Sequence, residues 1–282
     1  MLPRLSWLLL LLLLLWALAP AQVTLQSLPQ PDAVYQPPFS AGERLVYQVN
    51  WKPVFLLPAF KAGEISLEIV ESEFKDRDTY RIQAWAKSDG ALTRVAGLEV
   101  RNYFESEVDR QDFRSYRNIQ RTREGSRQRN LELLFDYEGD RTVVRETDPS
   151  VTPPREIRNK VQARIPAPAV DVLSAFYVTR LKQFSPGERF SIWLNERGEF
   201  RQVEVGVLRK EKVKASVGSF ECHLVSTQGG LFKDGGDFRL WFTDDRLRVP
   251  VYFEADVRFG KVYGDLIRLE TPQLHRGVIR VR

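Results

Sequence analysis

The sequence is poor in the residues on which several kinds of functional site depend. Its 282 residues include one cysteine, two histidines and one methionine. A single cysteine cannot build a disulfide framework, and so few cysteines and histidines exclude a zinc cluster and most histidine-centred catalysis. The sequence has no nucleophile elbow, phosphate-binding loop or dinucleotide fingerprint. We therefore predict no catalytic residues, no metal and no cofactor.

The one long hydrophobic run lies at the N-terminus. Ser6 to Trp16 is dominated by leucine, follows Arg4 and precedes a small-x-small motif at Ala19-Pro20-Ala21. This pattern is typical of a signal peptide, and the run is shorter than the roughly 20 residues of a transmembrane helix. We expect residues 1–21 to be cleaved, which leaves an exported chain without a transmembrane span. The periplasm is the expected compartment, release outside the cell is an alternative, and an uncleaved anchor is another.

Charge of neither sign dominates, since the formal net charge is +5 with 28% charged residues. An exported chain with this mild excess of base is not expected to bind nucleic acid. Six arginines do cluster on a predicted hairpin that turns at Gly125. A solvated hairpin surface is the simplest interpretation, and contact with anionic lipid or polysaccharide at an envelope surface is the alternative. The six residues are Arg114, Arg117, Arg121, Arg123, Arg127 and Arg129.

Beyond a proline-rich tether over residues 22–38, the pattern is dominated by strands. Leu45, Tyr47, Val49 and Trp51 alternate with polar residues, as a sheet with one buried face requires. Turn signals recur at roughly the 8–12 residue spacing of antiparallel barrels and sandwiches. We predict a mostly β fold in a single domain over residues 39–270. Its antiparallel sheet is expected to curve into a barrel or half-barrel, and residues 271–282 form a C-terminal tail.

One segment has helical rather than strand periodicity. Over residues 169–183 the apolar positions recur at the spacing of a helix, and Asp171 is placed to cap or start it. The apolar stripe must be buried, so we expect this helix to pack across the curved sheet. The sequence leaves open whether the strands on either side of it form one sheet or two. The apolar residues are Val170, Leu173, Phe176, Tyr177 and Leu181.

Two features of the C-terminal half could support chemistry but have simpler explanations. Cys222 shares a strand face with Phe220 and Leu224, which indicates a small buried apolar residue, and His223 points to the opposite face. The adjacent Asp244 and Asp245 indicate an acidic turn pairing with Arg246 or Arg248. The alternative is an acid–base pair of carboxylates.

The most unusual stretch is apolar where a polar turn is normal. Trp51 to Phe60 lies between two predicted strands and is interrupted by prolines. It either folds over one open end of the sheet or contacts a lipid, ligand or partner. The candidate ligand-binding residues are Trp51, Phe55, Leu56, Leu57 and Phe60.

Five stretches, in order, resemble one family. They are Gly42 to Trp51 with Ala62-Gly63-Glu64, Tyr103 to Asp109, Asp171 to Arg180, Gly218 to Cys222, and Trp241 to Val251. Together they resemble the exported bacterial family of domain of unknown function 3108 over Phe39 to Leu269. The resemblance implies an exported, mostly antiparallel β protein and brings no catalytic residues. Pro53 to Phe60 departs from it as an insert. By fold analogy alone, such sheets also resemble periplasmic carriers of bacterial lipoproteins.

Three functions remain open at this point. The first is a non-catalytic envelope protein that binds a hydrophobic or amphipathic ligand, such as a lipid, or a protein partner, with peripheral membrane contact. The second is a hydrolase acting on envelope glycan through Asp244 and Asp245. The third is a structural scaffold that extends a partner's sheet, for which Pro250 indicates an edge or the first residue of its strand.

Overall fold

The structure is a computed structural model. It describes residues 37–54, 58–89, 99–166, 168–228, 236–257, 260–273 and 278–280. Residues from Pro37 onward form one compact unit. The predicted signal peptide, most of the predicted tether, and three of the candidate ligand-binding residues (Phe55, Leu56 and Leu57) lie outside the described residues, so these assignments stay predictions.

Sixteen strands and one helix are assigned within the described residues. The first eight strands are β1 (Arg44–Pro53), β2 (Phe60–Glu73), β3 (Asp78–Ser88), β4 (Arg101–Asp109), β5 (Ser115–Glu124), β6 (Arg127–Asp136), β7 (Arg141–Asp148) and β8 (Arg155–Ala163). The short strand β9 (Ala169–Asp171) leads into helix α1 (Val172–Leu181). The remaining strands are β10 (Arg189–Glu196), β11 (Glu199–Ala215), β12 (Gly218–Gln228), β13 (Phe238–Thr243), β14 (Pro250–Val257), β15 (Gly260–Glu270) and β16 (Val278–Arg280).

All the strands belong to one curved sheet. Strands β8 to β1 run in reverse chain order across one part, and β15 back to β9 continue it, with β1 and β15 paired antiparallel at the junction. Among the described residues, β8 and β9 stand at opposite ends of the strand order and do not pair, so the sheet does not close. The predicted mostly β, barrel-like fold with one helix is confirmed, and the two strand-rich halves form a single sheet.

Some boundaries differ from the sequence-based expectation. The helix begins at Val172 rather than near 169, because Ala169–Asp171 pair in parallel with β10 and Asp171 is the N-cap. The sequence pattern predicts separate strands at Phe200 to Leu208 and Lys212 to Val217, but one strand, β11, runs from the first into the second, since a bulge after Val207 lets it continue along β12. The sequence predicts that Pro250 lies on an edge strand or is the first residue of its strand. It is the first residue of β14.

Two strands lie where the sequence indicated none. Strand β8 is exposed over most of its length, so it lacks the alternation that identified the other strands. Strand β16 pairs with β15 and lies inside the segment predicted to be a tail.

Because the strands are antiparallel, their connections alternate between two ends of the sheet. We call one the helix end, where α1 contacts the β13–β14 turn: Arg180 donates to the Leu247 carbonyl, and Arg248 donates back to the Arg180 carbonyl. The other is the hairpin end, which has the tight turns at Gly125 and Gly198. These two ends differ in how their charges are arranged.

Candidate functional site

A cavity of about 560 Å³ lies between the inner face of the sheet and α1. Most of its lining is apolar, and each strand from β1 to β7 and from β10 to β15 contributes to it. We call it the central cavity. Its volume is within the range of small-molecule binding sites. The apolar lining includes Ile65, Leu67, Phe104, Leu131, Leu173, Phe176, Ile192, Val205, Val225, Phe238, Leu240, Phe253 and Val262.

The register of the strands explains why these side chains meet. Tyr47 on β1 is opposite Ile65 on β2 and Leu266 on β15, so the three share the inner face. The same alternation continues into β14, where Phe253 and Ala255 both line the cavity. The period of two in each strand therefore yields a continuous apolar surface.

Helix α1 covers the cavity from the helix end and is fixed there by its N-cap. The Asp171 carboxylate accepts hydrogen bonds from the backbone N–H of Leu173 and of Ser174, at 2.8 and 3.1 Å. It also accepts from the hydroxyls of Ser106 and Ser115, at 2.5 and 2.7 Å. Burial raises the pKa of Asp171, and the serine hydrogen bonds act in the opposite direction. These contacts connect the helix to β4 and β5.

The last turn of α1 is held by a buried ion pair. Arg180 and Glu43 are fully buried and form two hydrogen bonds of 2.5 and 2.9 Å. The guanidinium also lies over the rings of Phe39 and Tyr177, 4.9 and 5.5 Å from their centroids. Each charge therefore has its partner inside the chain, as burial of an ion requires.

The central cavity has one polar wall. Strand β5 places polar residues at four successive inward positions, and β6, β7 and the β10–β11 turn add charged residues. We call this set the polar wall. It consists of Asn118, Gln120, Thr122, Glu124, Arg127, Arg129, Glu146, Glu196 and Arg197.

Glu146 is the most buried charge of the polar wall, with a side chain 1% exposed. Its carboxylate accepts a short hydrogen bond from Arg197 in the β10–β11 turn. Arg129 and Arg158 approach the two carboxylate oxygens at 3.9 and 3.8 Å. Arg158 also donates to the Arg197 carbonyl at 2.8 Å. These contacts connect β6, β7 and β8 to the β10–β11 turn.

Next to Glu146, Asp148 carries a second shared carboxylate. It forms ion pairs with Arg129 and Arg155, both at 3.1 Å. The hydroxyl and backbone N–H of Ser150 lower the pKa of Asp148 to about 2, and Arg129 adds to this effect.

Two of the five candidate ligand-binding residues fall within the described part of the chain. Trp51 and Phe60 are opposite each other on β1 and β2, with ring centroids 5.4 Å apart. Both are partly buried and neither contacts the central cavity directly. Trp51 is also opposite Val262, which does line the cavity. The two aromatic residues therefore lie beside the cavity at the hairpin end.

The acidic turn has different partners from those expected. Asp244 pairs with Lys210 and with His223 Nε2, the latter at 2.7 Å, rather than with Arg246 or Arg248. Hydrogen bonds from Lys210 and His223 lower the pKa of Asp244. Asp245 accepts from the Thr243 hydroxyl and from two backbone N–H groups of its own turn. A polar cavity of about 250 Å³ adjoins this turn.

Cys222 is buried, as the sequence indicated. Burial raises the pKa of its thiol to about 12, so the thiol stays protonated at neutral pH. Within the described residues, no cluster of three or more histidine, cysteine or acidic side chains could hold a metal ion. The same residues include no helix with the length and apolar character to cross a membrane.

Sequence reasoning noted Arg127 and Arg129 as members of an arginine cluster but missed the polar wall. A further signal was β5, whose inward Asn118, Gln120 and Thr122 are polar although most of its outward positions are polar as well. A strand that is polar on both faces is typical of an exposed hairpin, and only the three-dimensional pairing shows that one face borders a cavity.

Comparison with known proteins identifies the family. The family model described as "Protein of unknown function (DUF3108)" matches residues 46–267, which is most of the chain. The chain belongs to this family, and the resemblance noted from the sequence is confirmed. A search of the curated proteins gave no match.

The chain is also similar to solved structures at low sequence identity. A β-barrel-like protein of domain of unknown function DUF1849 from Brucella abortus is 12% identical, with a TM-score of 0.51. The match covers 83% of this chain and 98% of that one, and it shows a shared fold. A candidate exported protein with a YmcC-like fold from Bacteroides fragilis has a TM-score of 0.28 at 9% identity, covering 83% of this chain and 98% of that one. A candidate lipoprotein from Parabacteroides distasonis has a TM-score of 0.30 at 9% identity, covering 83% and 97%.

Proposed function

We propose that this member of the DUF3108 family is an exported, non-catalytic binding protein of the cell envelope. Its ligand is amphipathic, and the apolar part of that ligand occupies the central cavity. The N-terminal signal-like segment supports export, with the periplasm as the expected compartment. The observation that carries the proposal is the continuous apolar lining of a cavity of about 560 Å³.

An apolar cavity of this size favours an apolar ligand over water. Water needs two to four polar partners, and the apolar lining formed by residues such as Leu67, Val225 and Phe253 offers none. Transfer of hydrocarbon from water to such a surface gains roughly 25 cal/mol for each Å² buried. Binding energy therefore comes from the apolar walls, and the polar wall orients the ligand.

The proposal also assigns a role to the apolar segment from Trp51 to Phe60. Trp51 and Phe60 lie at the hairpin end beside the cavity, and the segment between them connects β1 to β2. We assign Trp51, Phe55, Leu56, Leu57 and Phe60 to the route by which the apolar part of the ligand reaches the cavity, or to contact with the membrane from which the ligand comes.

The alternative functions have no comparable support. Asp244 and Asp245 are both engaged by hydrogen bonds within the chain, so a hydrolase that uses them is not proposed. A scaffold that extends a partner's sheet does not require an apolar cavity, so a scaffold role does not explain this feature.

Filling the cavity is the direct test. Ala255→Trp places an indole among the lining residues of β14, and Ala163→Trp places the same group on the exposed strand β8 as a matched control. Binding is measured by the fluorescence of parinaric acid added to the purified mature protein. We expect Ala255→Trp to weaken binding at least about tenfold, and Ala163→Trp to leave it unchanged at an equal melting temperature. Absence of binding by the wild-type protein, or equal binding by both variants, would overturn the proposal.

A further inference from the structure

The polar wall itself holds three arginines and three glutamates, but the arginines and carboxylates grouped around Glu146 are not equal in number. Around Glu146 and Asp148, two carboxylates are shared among four arginines, which leaves two positive charges without a carboxylate. We call these six residues the Glu146 cluster. They are Arg129, Glu146, Asp148, Arg155, Arg158 and Arg197.

A further arginine beside this cluster forms no ion pair with any described residue. Arg127 lines the cavity, and no described residue forms an ion pair or hydrogen bond with its side chain. Its neighbour across the hairpin, Glu124, accepts a hydrogen bond from Asn102 instead. The Arg127 guanidinium is thus available to a ligand at the hairpin end of the cavity.

The arginines of the hairpin do not all face the cavity. Arg117 faces outward and pairs with Glu105, and Arg121 faces outward over the Tyr103 ring. Of the six arginines noted in the sequence, Arg117 and Arg121 therefore contact the outer face of the sheet, and Arg127 and Arg129 face the cavity.

We propose that the amphipathic ligand carries an anionic phosphate headgroup held by Arg127, Arg129 and Arg197, an inference that rests on the proposed function. Buried Glu146 lies in a partly desolvated environment, where charges interact more strongly than in water. An anion there offsets the excess of arginine, whereas a headgroup ammonium is repelled by it.

The number of arginines favours phosphate over carboxylate. Arg127 and Arg129 come from β6, and Arg197 comes from the β10–β11 turn, so guanidinium groups approach from two elements. A phosphate has more acceptor oxygens than a carboxylate and can bind several guanidinium groups together. The hydrocarbon chain then runs from this wall along the apolar lining.

Three probes with the same palmitoyl chain test the headgroup. Lysophosphatidylglycerol has an anionic phosphate headgroup, lysophosphatidylcholine adds a cation to the phosphate, and palmitate has a carboxylate. Binding to the mature protein is measured by competition with parinaric acid at low salt. We expect lysophosphatidylglycerol to bind about tenfold more tightly than either of the others, consistent with one or two charge-assisted hydrogen bonds at a partly exposed site. This preference should shrink as salt is raised.

Two variants connect the preference to the inward arginines. Arg127→Gln together with Arg197→Gln should weaken binding of lysophosphatidylglycerol more than binding of lysophosphatidylcholine, and so bring the ratio of the two affinities to about threefold or less. Arg123→Gln, on the outer face of the same hairpin, is the matched control and should keep the wild-type ratio. Arg127→Gln alone should reduce the ratio in part, and it breaks no ion pair among the described residues.

The outcomes separate this inference from the proposed function. Equal wild-type affinity for the two lysophospholipids overturns the anionic headgroup and leaves the proposed function in place. Palmitate binding as tightly as lysophosphatidylglycerol overturns the assignment of phosphate. If none of the probes binds, the proposed function itself fails.

Discussion

Buried charged groups are paired differently at the two ends of the sheet. At the helix end, Arg180 has Glu43 as its full counter-charge, and four donors satisfy Asp171. At the hairpin end, Glu146 and Asp148 are shared among four arginines, and Arg127 has no partner among the described residues. Both ends bury ionic groups, but among the described residues Arg180 and Asp171 at the helix end are satisfied within the chain, whereas the Glu146 cluster has two more arginines than carboxylates.

The difference indicates that the two ends have different roles, one in stability and the other in ligand binding. Charges that are satisfied internally fix α1 against the sheet and give the cavity a stable wall. An unbalanced cluster leaves hydrogen-bonding capacity for a ligand. Substitutions at the helix end should therefore affect mainly stability, and substitutions at the hairpin end should affect mainly binding.

The largest expected effect follows from breaking the buried pair at the helix end. Arg180→Met leaves the Glu43 carboxylate buried without its partner and should lower the free energy of unfolding by about 3–5 kcal/mol. Urea denaturation of the mature protein measures this change. The double variant Glu43→Leu with Arg180→Met removes both charges and should recover most of the loss. A single variant within about 1 kcal/mol of wild type would contradict the assigned role.

A smaller loss is expected at the start of α1. Asp171→Ala removes the N-cap acceptor and the partner of two buried serine hydroxyls, and should cost about 2 kcal/mol. Asp171→Asn keeps a capping side chain and is the control, with a smaller loss expected. Equal stability of the alanine and wild-type proteins in urea would show that the cap does not hold the helix.

Much of this organisation could be predicted from the sequence, because periodicity reports which face of an element is buried. The alternation at Leu45, Tyr47 and Val49 identified β1, and the spacing of Leu173, Phe176 and Tyr177 identified α1. The pairing of β1 with β15 could not be predicted, since it joins residues more than two hundred positions apart and no local pattern encodes it.

The polar wall could not be predicted from the sequence, for a related reason. Arg127 and Arg129 belong to a strand that is polar on both faces near its start, and the functional face is distinguished only by the neighbours that the fold supplies. Glu146 and Arg197 are 51 positions apart in the chain and meet because the β10–β11 turn lies against β7.

At the hairpin end, the expected effect on stability depends on pH. The folded-state pKa of Asp148, about 2, is below its ordinary value of 3.8, so its contribution to stability is complete above about pH 4 and is lost as pH falls towards 2. We expect Asp148→Asn to lose less stability than wild type between pH 5 and pH 2.5, as read from urea midpoints at the two values. The same acid sensitivity in both proteins would exclude Asp148 as its source.

The smallest effect on stability is expected from the apolar segment. Phe55→Asp with Leu57→Asp should leave the melting temperature within a few degrees of wild type, because the proposal assigns this segment to ligand transfer rather than to the core. Association with liposomes and uptake of parinaric acid should both fall strongly. Val151→Asp with Val161→Asp, at two exposed apolar positions outside the segment, is the charge-matched control. Unchanged association with liposomes in the Phe55 and Leu57 variant would contradict a role of the segment in ligand transfer or membrane contact.

Native mass spectrometry of the mature protein, purified from its own envelope without detergent, tests the central claim most directly. The account predicts a discrete added mass that organic solvent extracts as an anionic phospholipid-like amphiphile and that Ala255→Trp abolishes. A wild-type protein that carries only the mass of its own chain, or an added mass that survives the filled cavity, would contradict it.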